Sequence, residues 1–150
     1  MPESRTRHHH KDKAVLTLMN IESIMETNFL TVRPDMDLMQ LVKTVSKSNR
    51  NLFPVIDGDE KLIGIVNLND IRNVMFRQEL YHRLYVESFM VKPKALIITS
   101  DSMEQVMEKF DQTGAWNLPV VDEEYRYKGF VSKSKMLNTY RQVMVDFSAE

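Results

Sequence analysis

The chain has 150 residues, a formal net charge of −1 and no cysteine. The near-zero charge argues against a nucleic-acid surface, and the absence of thiols excludes disulfides and thiolate chemistry and is compatible with the cytosol. No apolar run approaches the ~18 residues that span a bilayer and no signal peptide is visible, so 43% hydrophobic and 27% charged residues describe an ordinary soluble globular protein, or a soluble piece of a larger one.

Length alone predicts one domain, but an internal repeat refines that. Leu52-Phe53-Pro54-Val55-Ile56-Asp57 returns as Asn117-Leu118-Pro119-Val120-Val121-Asp122, 65 residues further on. The same shift carries Gly64-Ile65-Val66 onto Gly129-Phe130-Val131 and Met25 onto Met90. It also carries Leu38, Leu41, Val42 and Val45 onto Met103, Val106, Met107 and Phe110 without a gap. The chain is one unit made twice, each copy too small to bury a good core alone.

Taken in order, residues 1–19 are a polar tail and an apolar lead-in. His8-His9-His10 has no carboxylate or cysteine spaced to complete a metal site and reads as solvated tail. Ala14 to Met19 is expected to pack onto the body. The first repeat, residues 20–80, opens at Ser23-Ile24-Met25. Leu30-Thr31-Val32 reads as a short strand. Asp35 or Asp37 caps a helix running to about Lys47, its apolar stripe inward. Phe53 to Ile56 is a strand whose proline must lie at the start or on an edge, because it cannot donate to a ladder. Asp57 to Glu60 turns the chain, and Leu62 to Val66 returns to form a hairpin. Asn67 is expected to cap a helix from Leu68 to about Leu80, with Ile71, Val74 and Met75 inward.

Residues 81–88 form the linker, where His82 sits alone. The second repeat, residues 89–150, repeats the plan. Leu96 to Ile98 is the strand, Ser102 caps a helix through Gln112, and Thr113 to Asn117 is the loop. Leu118 to Val121 and Gly129 to Val131 make the hairpin, and Ser132 caps a last helix towards Met144. The fold class is α+β, two β-α-β-β-α repeats. One face of each three-stranded sheet would be bare alone, so sheet-to-sheet packing about a pseudo-twofold axis is expected.

This order, with hydrophobic-Pro-Val-hydrophobic-Asp ahead of Gly-hydrophobic-hydrophobic-x-x-x-Asp, resembles the cystathionine-β-synthase (CBS) domain family over about residues 20–145. Two tandem copies resemble a Bateman module. The resemblance implies a regulatory role without catalysis: AMP, ADP or ATP bound in clefts between repeats, no required cofactor, and flat homodimers formed through the helices after the last strands. Met75, Met136 and Met144 are expected to offer adaptable surface for that pairing. His10 to Leu18, Asp70 to Phe76 and Glu79-Leu80-Tyr81 are similar to the cytoplasmic region of bacterial CLC-type chloride channels. That likeness implies a membrane-embedded channel domain in the same polypeptide and a place on the cytoplasmic side of the inner membrane.

Carried over residue by residue, one cleft would join Asn67, Asn69 and Asp70 to Leu96, Ile97, Trp116 and Asn117. Asp70 would accept hydrogen bonds from both ribose hydroxyls, with Ile65 and Trp116 beside the base. Two alternatives stay open. An acidic residue in a first helical turn is stabilising without any ligand, and a lone tryptophan also serves as a core or dimer anchor. The other cleft would join Thr31, Val32, Arg50, Asn51 and Leu52 to Phe130, Ser132, Ser134 and Lys135. Here Lys135 stands where the family has aspartate, which removes the ribose acceptor. A phosphate at that helix start, with help from Arg50, would suit the lysine; a solvated lysine is the plain alternative. No Gly-rich phosphate loop, Gly-x-Ser-x-Gly or paired carboxylates appear, so no enzyme is expected. A structural dimerisation module that has lost nucleotide binding, or a pair serving another transporter or enzyme, remains the competing reading.

Overall fold

The structure is a computed structural model that describes residues 13–149. His8 to His10 lie outside the described residues. The element order is a helix at residues 13–18 (α1), α2 (Ile21–Ile24), β1 (Met25–Glu26), α3 (Leu38–Ser46), β2 (Leu52–Ile56), β3 (Leu62–Asn67) and α4 (Leu68–Ile71). Two 3-10 turns follow, Gln78–Leu80 and Val86–Ser88, and then β4 (Ile97–Ile98), α5 (Met103–Thr113), β5 (Asn117–Val121), β6 (Tyr127–Ser132) and α6 (Lys133–Ala149). The class is α+β.

The repeat is written into the local hydrogen bonds. Asp37 caps α3 and Ser102 caps α5, and each closes a reciprocal box with Gln40 or Gln105 three residues on. Asp37, not Asp35, takes that place. Each hairpin turn is built on one carboxylate. Asp57 Oδ1 accepts from the backbone N–H of Asp59 (2.8 Å) and Lys61 (3.0 Å), and Asp122 Oδ1 from Glu124 (2.8 Å) and Arg126 (2.9 Å). Both turns then force a side-chain-bearing residue into left-handed backbone, Glu60 at φ 65° and Tyr125 at φ 71°. That conformation costs on the order of 1 kcal/mol, and the carboxylate's bonds offset it.

The chain divides into two compact units that do not follow the sequence halves. The first holds the described residues up to Glu26 with Lys94–Val120 and the chain from Phe130 onward; the second holds Thr27–Pro93 and Val121–Gly129. The reason is an exchange of lead-in segments. In the first unit, β1 of the first repeat pairs antiparallel with β6 of the second, Met25 opposite Val131 and Glu26 opposite Phe130. In the second, Val91 of the second repeat pairs with Ile65 in β3 of the first, N–H and carbonyl exchanging bonds of 2.9 Å in both directions. These two pairings are related by the 65-residue shift. A two-fold relation also shows locally in the second unit, where Lys61 bridges antiparallel to its own equivalent, Arg126.

Each unit has its own core. Leu16, Met19, Ile21, Ile24, Ile97 and Phe110 are among the buried members of the first, with α2 packed on α6. Val32, Leu38, Leu41, Phe53, Val66 and Ile71 are among those of the second. Leu16 and Met19 bear out the packed lead-in.

Several expectations need correction. The helix expected to reach Leu80 stops at Ile71, and Arg77 (φ −89°, ψ 89°) breaks the helical backbone before the first 3-10 turn. Leu30 to Val32 is not a strand; it reduces to one parallel bridge from Val32 to Val55, with bonds of 2.9 Å to Pro54 O and from Ile56 N. That bridge explains Pro54, which sits inside β2. Its carbonyl faces Val32, so its missing N–H faces the same sparsely paired side. Pro119 is likewise flanked by β4, only two residues long. Met136, at 1% exposure, is core and offers no pairing surface.

Candidate ligand-binding segments

The family resemblance assigns ligand contact to the loops before each Pro-Val and to the helix starts after each hairpin. Within each unit the structure ties these two places together by one hydrogen bond. Leu68 N–H donates to Asn51 O at 2.9 Å, and Lys133 N–H donates to Trp116 O at 2.8 Å. The two bonds are again copies of each other, so the geometry is a property of the repeat.

In the second unit, Asn67 occupies the cap position of α4 but makes no side-chain bond to the backbone. Its Nδ2 donates instead to Asp70 Oδ2 at 3.3 Å. Asn67 is therefore a brace for the Asp70 carboxylate and not the backbone cap that was expected. Asp70 and Asn69 are exposed, and Asn67 is half-buried. Ile65 is buried in β3, at 7% exposure. Thr31 and Asn51 are exposed, and Leu52 is half-buried. Arg50 is committed locally: its guanidinium lies 4.4 Å from the Phe29 ring centroid and donates to Asn28 Oδ1. The Tyr127 phenol sits within its electrostatic reach. Burial raises that phenol's pKa above the ordinary tyrosine range, the Arg50 charge pulling the other way, so it stays protonated at neutral pH.

In the first unit, Trp116 is 71% exposed, which removes the core-anchor alternative. The Lys133 ammonium lies 5.6 Å from its ring centroid, a cation–π contact that leaves the indole outside the core. Asn117 is exposed. Ser132 caps α6 as expected, its Oγ accepting from Lys135 N at 3.0 Å. Ser134 and Lys135 are exposed on that first turn. Ile97, at 0% exposure, belongs to the core, as do Val32 and Phe130 at 1%. These three can offer a ligand only their main chain.

Sequence reasoning missed three groups. Lys133 was not singled out, although its place one residue after the cap Ser132 could have suggested it. Lys109 Nζ donates to Leu96 O at 2.7 Å and to Asp101 Oδ2 at 2.6 Å, joining a helix to the strand start. His82 does not sit alone, since its Nδ1 lies 2.9 Å from Asp37 Oδ2. Asp37 is held below the usual carboxylate range, first by the Gln40 N–H and then by His82. Among the described residues, no group of His, Asp and Glu is arranged to hold a metal ion. Nor is any of their helices long and apolar enough to cross a membrane.

The CBS domain family matches the chain twice, over residues 21–77 and 86–141. The chain belongs to the CBS-domain family. The chain is similar to inosine-5'-monophosphate dehydrogenase of Aquifex aeolicus, 32% identical over 74% of this chain and 22% of that protein. It is also similar to homoserine O-acetyltransferase of Methanococcus vannielii, 24% identical over 79% of this chain and 24% of that protein. It thus spans well under half the length of these curated relatives. Among solved structures, CBSX2 in complex with AMP superposes with a TM-score of 0.66 at 21% identity, over 83% of this chain and 97% of that one. CbpB in complex with c-di-AMP gives 0.72 at 14%, over 93% and 96%. At such identities the likeness carries the CBS-pair fold.

Proposed function

We propose that this CBS pair senses an adenine nucleotide and that Asp70 is the acceptor for the ribose hydroxyls. The observation that carries the reading is the Asp70 carboxylate itself, exposed directly after β3 and braced by Asn67. An exposed carboxylate with one oxygen braced suits two vicinal hydroxyls. Asn69 stands beside it. The family resemblance assigns the base to Ile65 in the second unit and, in the first, to Trp116, Asn117 and the main chain of Leu96 and Ile97. The AMP and c-di-AMP complexes of the fold relatives CBSX2 and CbpB support the ligand class.

The family resemblance names a second set, Thr31, Arg50 and Asn51 in the second unit and Ser132 and Lys135 in the first. With lysine in place of aspartate, that set favours phosphate over ribose. Binding regulates by population shift: a nucleotide that prefers one arrangement of the pair biases it, and a linked domain or paired copy reads the bias. The likeness of residues 10–18 and 70–81 to CLC-type chloride channels supports such a channel as host, with the pair on its cytoplasmic side. A full reading frame with about ten transmembrane segments ahead of this region tests that host.

Isothermal titration with AMP, ADP and ATP tests the sensing reading. The wild type is expected to bind at least one, and Asp70→Ala to lose about tenfold or more in affinity. No heat with any of the three, at a protein concentration well above ~10 µM, ends it. Lys135 in the aspartate position favours a second reading, a dimerisation module without nucleotide binding, and that result would leave it standing.

A further inference from the structure

One side chain outside the proposed set reaches the main chain of the first unit to which that proposal assigns the base. Lys109, on α5, donates to Leu96 O at 2.7 Å and to Asp101 Oδ2 at 2.6 Å. Asp101 Oδ2 also accepts from Ile98 N at 3.0 Å, and Asp101 N donates back to Ile98 O at 2.8 Å. The pair is mostly shielded, with side-chain exposures of 28% for Lys109 and 11% for Asp101. Segment 96–98 is thereby fixed at both ends by charge-assisted bonds, which are shorter and stronger than neutral ones.

The same turn of helix supports the other ligand-facing loop. Thr113 Oγ1 donates to Lys109 O at 2.7 Å and accepts from Ala115 N at 3.2 Å, one residue before Trp116. The first repeat keeps only half of this device. Ser48 Oγ accepts from Arg50 N at 2.9 Å, as Thr113 does from Ala115. Thr44, however, stands where Lys109 stands, and its hydroxyl donates to Gln40 O. Met36 replaces Asp101, so Arg33 N donates to a thioether sulfur at 3.2 Å. The ionic clamp is thus built into the second repeat alone, in the unit that supplies Leu96, Ile97, Trp116 and Asn117.

We infer that Lys109 is a positioning residue for nucleotide binding, holding the Leu96–Ile98 main chain preformed through Leu96 O and Asp101. The inference rests on the nucleotide reading above. A preformed loop removes ordering cost at binding, so loss of the clamp lowers affinity well below the melting temperature. The test titrates AMP at 20 °C into the wild type, Lys109→Met, Lys109→Arg and Gln112→Ala, followed by heat and by the fluorescence of Trp116, the chain's single tryptophan. Gln112→Ala removes only the bond to Glu108 on the same helix and serves as the control for helix stability.

The expected result is about tenfold weaker AMP binding by Lys109→Met, recovery to within about threefold by Lys109→Arg, and no change for Gln112→Ala. Amide exchange at Ile98 is expected to accelerate in Lys109→Met only. Undiminished AMP binding by folded Lys109→Met overturns the positioning role and leaves the nucleotide reading intact. Weakening by Gln112→Ala in step with its melting temperature also overturns it, by assigning the effect to helix stability. Failure of the wild type to bind AMP overturns this role, and failure with ADP and ATP as well removes the nucleotide reading too.

Discussion

Gly64 offers a direct test of the exchanged lead-in segments. It lies in β3, where an added Cβ would meet Met90 Cβ at 3.1 Å, Sδ at 3.2 Å and Cγ at 3.3 Å. Ordinary carbon contacts lie near 3.5–4.0 Å, so Gly64→Ala overlaps Met90 by a few tenths of an ångström. Sδ and Cγ can swing aside, but Cβ is fixed to a backbone held by the Ile65–Val91 bonds. Overpacking of this kind costs about 1–3 kcal/mol. Replacing glycine by alanine at an unstrained position returns about 0.4–1 kcal/mol through the unfolded chain. The net loss is then roughly 0.5–2 kcal/mol, a fall in melting temperature of about 2–6 °C for a chain of this size. Thermal unfolding by circular dichroism reads it, with Gly58→Ala as the control, because nothing lies within 4 Å of a Cβ there. Gly58→Ala is expected to be neutral or slightly stabilising. If Gly64→Ala melts with Gly58→Ala, the close approach of Met90 to β3 is wrong, and with it the pairing of Val91.

Gly114 ends α5 in left-handed backbone at φ 68°, with open space around it. Gly114→Ala is expected to lose about 1 kcal/mol and Gly114→Asn less, both measured by urea unfolding. Asp37 is held low by the Gln40 N–H and His82, and Asp122 by the Arg126 and Glu124 N–H groups. Their folded pKa values lie below the unfolded ones, so the stability they add is present above about pH 4 and lost as pH falls through the folded values. Melting temperature measured from pH 7 to pH 3 should fall steeply at the acid end. Asp122→Asn should flatten that fall, and an unchanged acid limb would remove the turn carboxylate from the explanation.

What the sequence made legible was local. Asp37 and Ser102 announced their helices because a capping box needs only four consecutive residues. The hairpins declared themselves by apolar runs around an aspartate turn. The exchange did not, because β1 is two residues long and its partner β6 lies over a hundred residues away. Two residues carry no periodicity, so only tertiary structure could assign them. The helix after β3 was overread because Val74 and Met75 continue its apolar stripe through turns that bond back to Ile71 and end at Arg77. For the site, loop membership was readable and side-chain direction was not. Ile97 was named for a ligand but fills the core, and Trp116 could have faced either way. Lys109 and Asp101 stand eight positions apart, a spacing that means nothing until β4 is seen lying against α5.

The traded arms set a rule for dissecting this polypeptide. Cutting at the linker would strand Met25-Glu26 on one fragment and its mate β6 on the other, and would separate Val91 from Ile65 in the same stroke. A single copy produced by itself would present a raw sheet margin that only a second molecule's arm could zip shut. Such fragments should therefore self-assemble or precipitate, whereas the two pieces co-produced should rejoin in trans.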